Sequence, residues 1–197
     1  MVTRYISFVA VLVVTLSSYS QSRERVEFTI DNHYRGIYSE VLEQPLEVEY
    51  IVKCPNGKVS RKGMSFYTNA KIHTSDHYDY VNNVWDKGHL APAIAFSCDK
   101  ETLKKTFSYL NSALQHQSLN RGHWRRLELF ERDLANYHYP VKVKITVLFE
   151  GALEKLPSGA TVPSAFIKTI EFSNKKVVFK FPNKETKGTS WLDYRIE

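Results

Sequence analysis

Asp86, Lys87, Gly88 and His89 stand consecutively in the stretch "WDKGHLAPA" (85–93). They bring together a carboxylate, an ammonium, a position without a side chain and an imidazole. Histidine is the side chain whose ordinary pKa lies nearest neutrality, so His89 could accept a proton without special help. Gly88 lets backbone or substrate approach closely, and Pro92 argues against a helix continuing through the segment. Taken alone, the tetrapeptide reads better as a solvated turn carrying an idle imidazole than as a site. A site needs a second half elsewhere in the chain.

The stretch "QHQSLNRGHWRRLE" (115–128) offers one. A helix starting near Asn120 places Asn120, Trp124, Glu128 and Arg132 at four-residue steps on one slowly drifting side. An amide oxygen and a carboxylate two turns apart can both address one hard cation or its water shell. The plainer reading makes Asn120 an N-cap and Glu128 with Arg132 an exposed ion pair along the helix. Judged by itself, this segment too favours the plainer reading.

The elements that must position these residues follow from periodicity. Leu46, Val48, Tyr50 and Val52 alternate with more polar neighbours, as do Val141, Val143, Ile145 and Val147, which predicts two strands. Residues 165–172 and 176–181, rich in Phe, Ile and Val, predict two more. Between them, Trp124, Leu127, Phe130 and Leu134 form one apolar stripe over 119–137, with charged residues filling the other faces of a helix. Residues 101–112 predict a shorter helix through Leu103, Phe107 and Leu110. "PNGK" (55–58) has the composition of a hairpin turn, and "TSDHYDYVNN" (74–83) that of a loop. Strands around one strong helix give an α+β fold. No repeat, low-complexity tract or Gly/Ser linker divides the chain after its start, so residues 21–197 are expected to form a single domain.

Composition narrows the partners. With 43% hydrophobic and 24% charged residues, the 197-residue chain has the make-up of an ordinary folded domain rather than a disordered one. A formal charge of +6 favours polyanions, nucleic acid foremost. No basic amphipathic helix stands out for a lipid surface. Residues 1–20 have the layout of a secretory signal peptide: Arg4, the apolar run Ile6–Leu16, then "SSYSQ" with cleavage expected near Ser20. The run is about half the length that a membrane span requires. The protein is therefore expected to be exported, secreted or periplasmic, and free of the membrane after cleavage. Its two cysteines, Cys54 and Cys98, are compatible with one disulfide in an oxidising compartment or with two buried thiols.

Together, "DKGHLAPA" and "TFSYLNSALQHQSLNRGHWRRLE" resemble the sugar-non-specific DNA/RNA endonucleases, the ββα-metal or His-Me finger family to which endonuclease G belongs. That family carries Asp-Arg-Gly-His before a small/Pro segment, then an Asn, Pro-Gln and Leu-Asn-x-x-x-Trp-x-x-Leu-Glu. Asn111, Gln115, Leu119, Asn120, Trp124, Leu127 and Glu128 fall in that order and spacing. The close match covers about residues 85–134, and looser likeness extends to "LEVEYIV" and "VPSAFIKTIEF". The resemblance implies a ββα-metal nuclease fold, a mostly antiparallel sheet with the metal-site helix against it. It implies a Mg²⁺-dependent endonuclease, with Mn²⁺ as a possible substitute, acting on DNA and RNA with little sequence preference.

In the roles so implied, His89 is the general base and Asn120 the direct protein ligand of the metal. Glu128 orients the metal's water shell. Arg132, Lys87 and Arg61 offset charge on the scissile phosphate, while Arg121 and Arg125 grip substrate. Asp86 more naturally positions the loop than does chemistry. Lys87 departs from the family's usual Arg, supplying a point charge instead of a bidentate fork, and Leu114 stands where Pro is usual. These departures motivate a second reading, a catalytically impaired nucleic-acid binder on the same scaffold. His73 and His77, four apart, with His116 and His123, could suggest zinc, but lack carboxylate or thiolate companions at metal spacing. His33 and His138 read as surface residues.

Overall fold

The structure, a computed structural model, describes residues 24–186 and 190–197. The expected leader, residues 1–20, lies outside the described residues. Among those described, no helix is long and apolar enough to cross a membrane.

The segments of period-two alternation pair into one antiparallel sheet. Its strands are β1 (Val26–Ile30), β2 (Tyr34–Ser39), β3 (Gln44–Ile51), β6 (Lys142–Leu148), β7 (Ala165–Phe172) and β8 (Lys175–Pro182), in that spatial order. Val48 and Tyr50 of β3 and Val143 and Ile145 of β6 point to one face, with Phe166 and Ile170 of β7 and Phe179 and Phe181 of β8. These side chains form the main core. The opposite face carries Arg35, Glu47, Glu49 and Lys144, cross-linked by ion pairs such as Arg35 Nη2 to Glu49 Oε2 at 2.7 Å. One face buried and one solvated is the arrangement that clean alternation encodes.

A two-stranded ribbon lies apart from this sheet. β4 (Trp85–His89) runs antiparallel to β5 (Ser112–His116), pairing His89 with Ser112 and Asp86 with Gln115. The tetrapeptide holding His89 is therefore a strand, not the solvated turn that it suggests alone. Buried amides dock the ribbon. Gln44 of β3 accepts from the Leu114 N–H at 2.9 Å, and Asn183, just after β8, accepts from His116 N–H and donates to the Leu114 carbonyl. Gly88 is required for packing within the ribbon. A Cβ there would lie 2.4 Å from Gln115 Oε1, so Gln115 fills the space that the missing side chain leaves.

The chain leaves β5 directly into a helical run with three parts: α2 (Gln117–Leu119), a π-helical turn (Asn120–Trp124) and α3 (Arg125–Ala135). The run starts three residues before the expected position. Its cap is His116, whose Nδ1 accepts from the Ser118 N–H at 3.2 Å; Asn120 lies inside the helix rather than capping it. The stripe of Trp124 and Leu127 is fully buried, with Phe130 and Leu134 packed at its edge. Glu131, expected on a solvated face, is instead 1% exposed. It faces Lys168 Nζ of β7 at 2.5 Å and accepts from the Tyr50 hydroxyl, while Lys168 sits 4.2 Å from the centre of the Trp124 ring. A buried carboxylate and ammonium persist because each neutralises the other, with an aromatic face and a phenol adding partners.

Only the first half of residues 101–112 is α-helical; Tyr109–Asn111 form a separate 3₁₀ turn. α1 (Lys100–Lys105) is capped by Asp99, whose carboxylate accepts from the Thr102 N–H. Phe107 and Leu110 are buried in the turns that follow. "PNGK" does turn, with Gly57 N–H donating to the Cys54 carbonyl, but no returning strand follows. Cys54 is instead bonded to Cys98, their Cα atoms 5.7 Å apart, which resolves the cysteine alternatives in favour of the disulfide. A link across 44 residues stabilises the fold by roughly 4 kcal/mol through loop-closure entropy.

Candidate active site

The ribbon, the helical run and the loop after Cys54 enclose one cleft of about 900 Å³. Its walls include Arg61, Lys87, His89, Asn120, Arg121, Arg125 and Glu128. Seven of the eight residues singled out from sequence thus meet in one place. Arg132 does not line the cleft; one turn beyond Glu128, α3 has carried it past the cavity. Lys58 and Lys62, flanking Arg61 on the same loop, line the cleft as well. Nothing in their spacing marked them.

His89 is held on every side. Its ring lies between Phe66 and Phe107, each with its centre 4.8 Å away. Its carbonyl accepts from Trp124 Nε1 at 3.2 Å. The Nε2 atom is buried and has no hydrogen-bond partner among the described residues. Burial, assisted by the Arg61 charge, pushes the imidazole pKa down to about 3. The ring is therefore neutral at physiological pH, with a lone pair available.

Asn120, which lines the cleft, is tied to Asp86 of the ribbon. Asn120 Nδ2 donates to Asp86 Oδ2 at 2.9 Å, and Arg121 forks onto the same carboxylate from Nε at 2.8 Å and Nη2 at 2.6 Å. Burial opposes ionisation of Asp86, but these hydrogen bonds outweigh it and hold the pKa below the ordinary carboxylate value. The π turn is what brings successive residues Asn120 and Arg121 onto one carboxylate; such turns inside helices often mark functional positions. With its NH₂ committed to Asp86, the Asn120 amide is fixed in orientation. Arg121 is also committed to Asp86, although its side chain stays 67% exposed.

Glu128, two turns on, is desolvated. Burial raises its pKa to about 7, against the opposing pull of Lys168, with Glu131 reinforcing the rise and Arg61 resisting it. Lys87 projects between aromatic rings, its Nζ 5.3 Å from the centre of Tyr80, 5.9 Å from that of Tyr109 and 6.0 Å from that of Phe66. A compact ammonium fits among these rings, which gives the lysine at this position a physical setting. Burial lowers its pKa, with Asp76 pulling the other way. The histidines considered for zinc go elsewhere: His73 Nε2 faces Glu43 at 3.2 Å and His77 Nδ1 lies 3.5 Å from Lys87 Nζ.

A match to the DNA/RNA non-specific endonucleases runs over residues 16–197. The chain belongs to the DNA/RNA non-specific endonuclease family. It is 34% identical over 125 residues to the nuclease of Serratia marcescens, covering 56% of this chain and 45% of that protein. To the mitochondrial nuclease EXOG of Danio rerio it is 31% identical over 81 residues, covering 40% and 24%. To the mitochondrial endonuclease G of Bos taurus it is 29% identical over 96 residues, covering 47% and 32%. The aligned parts thus span less than half the length of these relatives. In three dimensions it is similar to a chain from the crystal structure of the EndoG/EndoGI complex, with TM-score 0.72 and 22% identity over 86% of this chain and 79% of that one. The α+β architecture expected from sequence is therefore that of this nuclease fold.

Asn111 is a member of the family signature for which sequence offers no role. It is fully buried. Its Oδ1 accepts from the Ala91 N–H at 2.7 Å, and its Nδ2 donates to the Ala91 and Thr106 carbonyls, each at 2.9 Å. The amide therefore ties the segment just after His89 to the turn before β5. Asn111→Leu leaves three backbone groups unpaired inside the core, at roughly 1–3 kcal/mol each. The expected outcome is a loss of several kcal/mol in urea unfolding, with reduced soluble yield; a change within about 0.5 kcal/mol would contradict the assignment.

Proposed function

We propose that this protein is an exported, metal-dependent endonuclease that hydrolyses phosphodiester bonds of DNA and RNA with little sequence preference. The observation that carries the reading is the convergence of a neutral His89 imidazole with Asn120, Glu128 and Arg61 on one cleft. The donor set suits Mg²⁺. An amide oxygen oriented by Asp86 and a nearby carboxylate are hard oxygen donors, few enough for an ion that keeps several waters. Asn120 would hold the cation, and Glu128 would face its hydration shell. Bound there, the cation supplies Lewis-acid stabilisation of charge on the phosphate and leaving oxygen.

The remaining chemistry belongs to the side chains. His89 takes a proton from the attacking water through the part of its ring that lines the cleft, its orientation fixed by Phe66, Phe107 and the Trp124 contact to its carbonyl. Arg61, with Lys58 and Lys62 beside it, holds a phosphate on the loop side of the cleft, while Lys87 and Arg125 present charge from the ribbon and helix. Arg121 acts first through Asp86. Its exposed guanidinium can still meet a backbone phosphate. Contacts of this kind read phosphates and not base edges, which gives salt-sensitive affinity without sequence preference. Arg132, outside the cleft, is given no part. The disulfide is at home in an oxidising compartment, in keeping with export.

The test is direct. Purified protein should degrade plasmid DNA and RNA in Mg²⁺, and in Mn²⁺, and stop when EDTA is added. Intact substrates under every metal condition would refute the reading, and DNA binding without cleavage would favour the impaired binder.

A further inference from the structure

The loop between β3 and β4 carries a feature for which phosphate chemistry has no use. Tyr78 is 74% exposed, yet it is mounted rigidly. Its N–H donates to Asp76 Oδ1 at 2.7 Å, and the buried Asp79 accepts from Asp76 N–H at 2.8 Å and Ala160 N–H at 3.3 Å. Asn83 donates to the Asp79 carbonyl, and the Tyr80 hydroxyl lies 3.2 Å from Ser112 Oγ of β5. A ring is thus held out in water by a backbone fixed on both sides. Val81 and Val84, on the same loop, are also exposed.

The location decides what such a ring can meet. The His77 and Tyr78 rings are 5.9 Å apart, and His77 Nδ1 lies 3.5 Å from Lys87 Nζ, which lines the cleft. A strand whose phosphate sits at Lys87 therefore has its neighbouring base within reach of this aromatic pair. We propose that His77 and Tyr78 form a stacking platform for an unpaired nucleobase adjacent to the scissile phosphate, and that the platform gives the enzyme a preference for single strands and frayed ends over closed duplex. The inference rests on the nucleic-acid reading of the cleft. Every base has a π face, so stacking is compatible with low sequence preference. In a duplex those faces are covered by the neighbouring base pairs.

The experiment compares wild type, Tyr78→Ala and Tyr78→Phe. Binding is read by fluorescence anisotropy in EDTA on a single-stranded oligonucleotide, its blunt duplex, and a strand of the same length made of abasic residues. Steady-state cleavage in Mg²⁺ is read on the same three. Tyr78→Ala should weaken single-strand binding and raise KM by roughly 5- to 100-fold, leave the duplex and abasic strands within about twofold, and keep kcat on duplex; Tyr78→Phe should match wild type. Unchanged single-strand binding in Tyr78→Ala, an equal loss on all three ligands, or no measurable single-strand binding by wild type would each overturn the platform. Tyr78-dependent binding without any cleavage would instead uphold the platform and refute the nuclease reading.

Discussion

Replacing His89 by alanine is expected to lower the rate of phosphodiester cleavage by roughly 10²–10⁴-fold, the usual contribution of a positioned general base. The residue is buried against Phe66 and Phe107, so His89→Gln, which fills more of the space, separates lost chemistry from lost packing. Both variants should bind DNA in EDTA like wild type. A single-turnover plasmid assay at saturating Mg²⁺ measures the effect, and activity within a few-fold of wild type in both would remove His89 from the mechanism. Because its pKa is pushed down to about 3 by burial and then by Arg61, protonation of His89 should not limit the rate at pH 5.

The same shifts carry opposite consequences for stability. A folded-state pKa below the ordinary histidine value means that neutral His89 contributes stability in full above the unfolded pKa, near 6.5. That contribution is lost as pH falls toward 3. Glu128 is raised to about 7, so its contribution is present below the ordinary value near 4.5 and is lost as pH rises through 7. In metal-free protein, thermal unfolding followed from pH 5 to 8 should show a stability loss that Glu128→Gln diminishes. Parallel curves for wild type and variant would contradict the raised pKa of this carboxylate.

How far the sequence could be read follows from which forces are local. The strands β3, β6, β7 and β8 each have one dry face, and alternation reports that directly. β7 was expected at the residues where it occurs. β4 and β5 carry no such pattern. They are short and held by amides from Gln44 and Asn183, dozens of residues away, so His89 looks like part of a turn until its partner strand is known. The stripe through Trp124 located the helix, but the π turn at Asn120–Trp124, which sets Asn120 and Arg121 on Asp86, has no periodic signature. Glu131 illustrates the same limit: a carboxylate on a charged helix gives no sign that a lysine waits beneath it on β7. Seven of the proposed site residues could be named in advance of their shared cleft because two motifs, thirty-odd residues apart, matched one family pattern. Where that pattern was followed furthest along the helix, to Arg132, the geometry of α3 leads away from the cleft.

Asn120→Ala should be nearly as damaging as loss of the base, and by a separable route. The substitution removes an amide oxygen from the cleft wall, leaving Glu128 as the hard donor that the helical run still supplies there. Affinity for Mg²⁺ should fall by on the order of 10²-fold or more, read as a shift in the Mg²⁺ dependence of cleavage and by calorimetry. Raising Mg²⁺ should recover part of the Asn120→Ala activity and none of that lost in His89→Ala. Asp86→Asn tests the orientation separately. It keeps the Asn120 oxygen but weakens the carboxylate grip on Asn120 Nδ2 and on Arg121, so it should cost roughly 10–100-fold in metal affinity. If Asn120→Ala retained wild-type Mg²⁺ dependence, the cation would have to be held elsewhere in the cleft. Because metal binding favours ionised Glu128, stabilisation by Mg²⁺ should also be larger at pH 8 than at pH 5. That increase follows from the carboxylate's own raised pKa and should be smaller in Glu128→Gln.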